Sequence, residues 1–188
     1  ADRATELYES LGDKMGVGLA ELVRCTLPDR DPEARLAHSL RAADLLHDAD
    51  CPGTTAIALN HVGRNLFALG RHEEALTRCT KALTVFDEQD DLHGRAVVLF
   101  SLGEIHSALG RHRDAQRCFR DAADGFRSYG SRLAEAKMLV ALGDSRRAAA
   151  EPAAAADCYR NAVAVLDGIE HADAAAVRRK LATVVEGP

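Results

Sequence analysis

The sequence predicts an all-α protein, built of antiparallel helix pairs stacked as a solenoid and closed by a C-terminal helix. Three observations carry this. The first is a forty-residue echo. Residues 69–72 and 109–112 both read LGRH, and Gly63, Gly103 and Gly143 stand forty apart. So do Ala75, Ala115 and Ala155, then Ala82, Ala122 and Ala162. Cys79, Phe119 and Tyr159 share one register, and Phe86, Phe126 and Leu166 share another. The second is helical spacing of the apolar residues inside each period, with no convincing strand-like alternation. The third is composition: 35 alanines against 5 prolines. Alanine costs little helix entropy and lets helices approach closely.

The elements follow in order. Residues 3–11 read as the tail of an earlier second helix, with Leu11-Gly12-Asp13-Lys14 resembling Tyr129-Gly130-Ser131-Arg132. The first period is degenerate. Its early helix is expected at about 17–27, and its second at 32–48. Asp31 is the expected N-cap of that second helix, with Pro32 at the first helical position. Cys51-Pro52-Gly53-Thr54-Thr55 reads as a linker.

The second period gives helices at 55–69 and 72–88. The third gives 96–109, with Val98, Leu99, Leu102 and Ile105 in helical spacing, and 112–127. There Ala115, Phe119, Ala122 and Phe126 make a stripe by steps of four, three and four. The fourth gives 133–147 and 152–166, its turn altered to Ala149-Ala150-Glu151-Pro152. A last helix at 170–184 holds Ala174, Val177, Leu181 and Val184, with Arg178, Arg179 and Lys180 expected to face water. The whole reads as one domain over 1–188. It has a leading helix remnant at 1–14, repeats at about 15–54, 55–94, 95–134 and 135–168, and a capping helix at 170–184.

Size and charge bound the function. The chain has 188 residues, 47% hydrophobic and 28% charged, with a formal charge of -5. That is an ordinary folded composition, and a mildly acidic total argues against unspecific wrapping of DNA. Five cysteines, an odd number set mainly in helical stretches, read as free thiols of a reducing compartment. No apolar run reaches membrane-spanning length and no signal-peptide pattern opens the chain. The text starts on Ala1 in mid-pattern and reads as a fragment of a longer cytoplasmic protein.

Leu102-Gly103, the turn at Gly110, then Ala115, Phe119 and Ala122 resemble the tetratricopeptide repeat. The resemblance covers roughly residues 15–166. It implies a right-handed superhelical solenoid. The period is six residues longer than the family's usual 34, and the extra residues are expected at the end of the second helix and in the link after it. The family's large aromatic in the first helix is replaced by Leu66, His106 and Arg146. The phrases ALGRHEEAL and ALGRHRDAQ also resemble the repeat regions of large bacterial transcriptional regulators of the antibiotic-regulatory type and of multidomain NTPase regulators.

Catalytic chemistry finds no carrier. There is no GxxxxGK[ST] phosphate loop, no HExxH, no CxxC pair and no nucleophile elbow. No enzyme activity, cofactor or metal is expected. Gly63, Gly103 and Gly143 lie inside helices, where close helix contact can justify their cost, and Gly70 and Gly110 fit left-handed helix ends. His72 and His112 recur one per repeat, too far apart to converge on one ion.

The resemblance places partner binding on the concave face, lined by the first helix of each unit. The matching residues are Ala20, Arg24 and Leu27; Asn60, Arg64 and Phe67; Phe100, Glu104 and Ser107; and Val140, Asp144 and Arg147. Arg24 and Arg64 make one end basic, Glu104 and Asp144 make the other acidic, and Phe67 and Phe100 stand between as apolar anchors. Such a graded surface orients an asymmetric peptide or helix. The expected function is non-catalytic: a scaffold or sensor domain of a bacterial regulatory protein, binding a partner protein, a peptide or another domain of its own full-length chain. A small-molecule or nucleotide effector is the second expectation. A nucleic-acid surface through Arg111, Arg113, Arg117 and Arg120 is the third, opposed by the interleaved Asp114, Asp121 and Asp124. The carboxylate-clamp pattern of chaperone-binding relatives is not reproduced, and no membrane contact is expected.

Overall fold

The computed structural model describes residues 2–27 and 31–185. Every regular element among them is an α-helix. In order they are α1 (Asp2–Ser10), α2 (Lys14–Arg24), α3 (Pro32–Asp48), α4 (Pro52–Ala68), α5 (His72–Glu88), α6 (Leu92–Ala108), α7 (His112–Ser128), α8 (Arg132–Ala148), α9 (Pro152–Asp167) and α10 (Asp173–Val185).

The helices keep time by twenties. From α3 to α9 they start at 32, 52, 72, 92, 112, 132 and 152. Three-residue turns separate them, and the middle residue of each turn has a positive φ: Asp50, Gly70, Asp90, Gly110, Gly130 and Ala150. A left-handed residue at this place lets the chain reverse within three residues. At Ala150 (φ 58°) the geometry is kept without glycine, at a cost of about 1–2 kcal/mol. The altered turn of the fourth period is therefore the same turn.

The extra length of the period lies within the helices. Both kinds of link are three residues long, so the lengthened link after the second helix that the sequence suggested is not found. Nor is the linker at 51–55. Pro52 opens α4, where its missing N–H had no partner to lose. The Thr54 and Thr55 hydroxyls donate to the Cys51 carbonyl at 3.1 and 2.8 Å. Likewise α6 begins at Leu92 rather than 96, because the Asp91 side chain accepts from the Gly94 N–H at 2.9 Å. The first period's early helix runs from Lys14 to Arg24, three residues earlier than expected, capped by Asp13. Asp31 caps α3 as expected, accepting from the Ala34 N–H at 3.2 Å.

The chain divides into two compact units, residues 1–94 and 95–188. In the first, α2 pairs with α3 and α4 with α5, and α1 lies against α2. Its core is built from Leu36, Leu46, Val62, Leu66, Cys79 and Phe86. In the second, α7 packs on α8, α8 on α9, and α9 on α10. Val98, Ile105, Phe119, Leu142, Tyr159 and Leu166 fill that core. The closing helix buries Ala174 and Val177 and exposes Arg178, Arg179 and Lys180. Arg178 and Lys180 fasten it to Asp167 and Asp144.

The helical glycines serve as seats for large side chains. A Cβ at Gly103 would stand 2.5 Å from the Phe119 ring, and one at Gly143 would stand 2.6 Å from the Tyr159 ring. Gly94 lies under Phe86 and Gly16 under Tyr8 in the same way, while Gly63 makes room for the Cys79 sulfur. The forty-residue register of glycines and the register of aromatics are two halves of one packing device.

Candidate partner-binding site

In the first unit, α4 presents Asn60, Arg64 and Phe67 at i, i+4 and i+7, a single helical stripe. They differ in access. Asn60 is buried, and its side-chain oxygen takes the Cys79 thiol at 3.6 Å. Arg64 is exposed and Phe67 half-buried. The Phe67 ring lies 5.3 Å from the His72 ring across the turn. Arg24 on α2 is held by Glu21, its Nη1 3.0 Å from the carboxylate.

In the second unit, α6 presents Phe100, Glu104 and Ser107 with the same spacing, all half-buried. Phe100 has its ring 6.1 Å from Phe119 and packs against the cluster of Ala115, Phe119, Leu142 and Cys158. On α8, Asp144 accepts from the Tyr159 hydroxyl at 2.7 Å and from Lys180 Nζ at 2.8 Å. Arg147 is exposed. Arg24 and Asp144, expected as opposite ends of a charge gradient, therefore each carry a charge already matched by a neighbour.

Glu21 was not singled out by sequence reasoning. It is 0% exposed. One carboxylate oxygen lies 2.5 Å from His38 Nδ1, and the other lies 3.0 Å from Arg24 Nη1 and 3.3 Å from Arg41 Nη1. Arg41 also reaches Glu9 on α1 at 2.7 Å. One buried acid thus ties α1, α2 and α3 together. The sequence signal was present: forty and eighty residues on, the same place holds His61 and Ser101.

His61 is perturbed in its own right. Burial pushes its pKa below the ordinary imidazole value, and the nearby Arg64 guanidinium pushes it further down. The unfolded chain therefore binds more protons than the folded one below about pH 6.5. The sign follows: stability falls as pH drops through that value and levels off below the folded pKa. Urea midpoints at pH 7.5 and 5.5 should show a smaller acid-side loss in His61→Gln than in the wild type. Equal losses would refute the assignment.

The thiols divide sharply. Burial lifts Cys25 and Cys118 to about 11 and Cys79 to about 12, and raises Cys158 as well. Cys51 alone is half-exposed. Since the thiolate is the reactive form, a thiol reagent at pH 8 should titrate one cysteine in the native protein and four more in denaturant. Rapid native labelling of a second site would contradict the packing. Among the described residues no group of three or more His, Cys, Asp or Glu side chains could hold a metal ion. No helix among them is long and apolar enough to cross a membrane.

Comparison with known proteins agrees with this architecture. A tetratricopeptide repeat family model matches residues 54–128. No curated protein sequence matches the chain. Solved structures with a similar fold include a signal transduction ATPase with numerous domains, carrying a tetratricopeptide repeat sensor, from Pyrococcus horikoshii. Its TM-score is 0.81 at 16% identity, over 97% of this chain and 29% of that one. Aspartyl phosphate phosphatase F from Bacillus subtilis follows, with TM-score 0.78 at 11% identity over 96% of this chain and 46% of that one. A Rap protein complexed with competence and sporulation factor gives 0.68 at 19% identity, over 98% of this chain and 57% of that one. The fold is thus tetratricopeptide-like, and the chain spans between 29% and 57% of the length of these proteins.

Proposed function

We propose that the chain is a non-catalytic scaffold or sensor domain of a bacterial regulatory protein, acting in the cytoplasm. It binds a partner protein, a peptide or a neighbouring domain of its own polypeptide. The single observation that carries this reading is the stripe on α4. Phe67 is half-buried and Arg64, three residues before it, is exposed, an apolar anchor beside a charge. The stripes of the second unit, with Phe100, Glu104, Ser107, Asp144 and Arg147, are proposed to serve in the same way. Arg24 and Asn60 act from beneath, through Glu21 and Cys79. The similar fold of a Rap protein held in complex with competence and sporulation factor supports a reading as a recognition domain. The fold shared with a tetratricopeptide repeat sensor supports a place within a larger regulator.

The test begins with photo-crosslinking groups at Arg64 and Phe67, and at Thr80 and Arg117 on second helices. Partners from the source cell should crosslink at the first pair. Calorimetry with the captured partner should then show Phe67→Ala weakening binding by about 2 kcal/mol, near thirtyfold. Arg64→Glu should act mainly on salt-dependent association. Crosslinks confined to Thr80 and Arg117, with both variants binding like wild type, would place recognition on the second helices instead.

A further inference from the structure

The first unit contains a cavity of about 480 Å³ among α3, α4 and α5, whose lining does not include Asn60, Arg64 or Phe67. This is a volume typical of small-molecule sites. Its charges are sorted. Asp50 and Glu88 come from the C-terminal ends of α3 and α5, with His47, while Lys81 lies about two turns back along α5. The α3 helix ends at Asp48 and α5 at Glu88, while α4 begins beside them at Pro52, so opposed helix ends leave the Asp50 and Glu88 carboxylates to set the negative end. Val85 forms an apolar stretch between the poles. The hydroxyls of Thr55 and Thr84 already donate to backbone carbonyls, at 2.8 and 3.2 Å, which leaves their lone pairs to accept. Lys81, Asp50 and Glu88 make no ion pair among the described residues.

We propose that this cavity binds a short peptide with free termini, its ammonium toward Asp50 and Glu88 and its carboxylate toward Lys81. The length is set by the site. Lys81 and Glu88 are seven residues apart on one helix, about 10 Å along its axis. An extended peptide of three residues spans about 10 Å. The apolar middle accepts a small aliphatic side chain, and the threonine oxygens accept from its backbone N–H groups.

The experiment is an NMR titration of the full chain at pH 7 with the tripeptide Ala-Val-Ala, together with its N-acetylated and C-amidated forms. The free peptide should give saturable shifts in amides around Asp50, Thr55 and Thr84. Blocking either end should weaken binding about fivefold, the upper range for one partly exposed ion pair. Lys81→Met should bind the free peptide about fivefold less tightly and no longer distinguish it from the C-amide. Asp50→Asn with Glu88→Gln should no longer distinguish it from the N-acetylated form. All three side chains are exposed, and unchanged spectra without peptide would show that the variants fold. Absence of saturable shifts at the peptide's solubility limit would overturn the proposal, as would shifts elsewhere. A Lys81→Met protein that still senses C-amidation would overturn it too.

Discussion

Gly103→Ala destabilises the second unit by about 1–3 kcal/mol, against the rule that alanine improves a helix interior by about 1 kcal/mol. The new Cβ would lie 2.5, 2.6 and 2.9 Å from three atoms of the Phe119 ring. That ring is 3% exposed and packed in a cluster with Leu142, Cys158 and Phe100, so it has little room to swing. The clash outweighs the propensity gain. Gly53→Ala is the control. Its Cβ would meet only the Gln89 side-chain oxygen at 3.1 Å, on a long side chain free to turn away. That substitution should leave the urea midpoint unchanged or slightly raised. Phe119→Leu, introduced together with Gly103→Ala, should recover part of the loss relative to the sum of the single changes. A Gly103→Ala midpoint equal to wild type would show that the ring does not sit on this glycine.

Glu21→Ala carries the other large expected effect, a loss of about 2–4 kcal/mol. Removing one member of a buried ionic cluster leaves the rest uncompensated, which costs about 3–5 kcal/mol when all members are buried. Here the figure is discounted, because the Arg41 side chain is 53% exposed and returns to water. Arg24 and His38, at 12% and 22%, have less recourse to solvent. Glu9→Ala, which breaks only the exposed pair with Arg41, should cost under about 1 kcal/mol. Urea denaturation of the two variants side by side would decide. Equal small losses would mean that the Glu21 carboxylate is solvated and not enclosed.

The sequence carried the repeat because the repeat is a packing rule. A glycine must recur wherever a ring recurs sixteen residues later, as with Gly103 and Phe119 or Gly143 and Tyr159. Helices 32–48 and 72–88 could be read to their ends, since Pro32 and Gly70 mark the chain at those places. The start of α4 was misread because proline, glycine and threonine together look like a linker, and that of α6 because Gly94 interrupts the apolar pattern. Yet Pro52 fits a first turn, and Gly94 is present to seat Phe86. The candidate site was legible as positions but not as chemistry. That Asn60 turns inward, that Lys180 reaches back to Asp144 across 36 residues, and that Phe100 supports the core are facts of tertiary packing. Spacing along one helix cannot report them. For Glu21 the polar register at 21, 61 and 101 marked the position, but its partners His38 and Arg41 lie on another helix and could not be read from it.

The equal beat of helix starts also bears on how such a chain can change length. Within each unit, successive helices run in opposite directions. A twenty-residue duplication would therefore present every later helix to its neighbours backwards, with its glycines facing no ring. A gain or loss of forty residues restores both direction and seat. The matching LGRH segments at 69–72 and 109–112 are points where misaligned genetic recombination would cut out or copy one whole pair. The product would meet its new neighbours through the same kind of glycine-and-ring joint. The fold is thus tolerant of length in steps of one size only, and an array of this kind can be lengthened or shortened without redesigning a core.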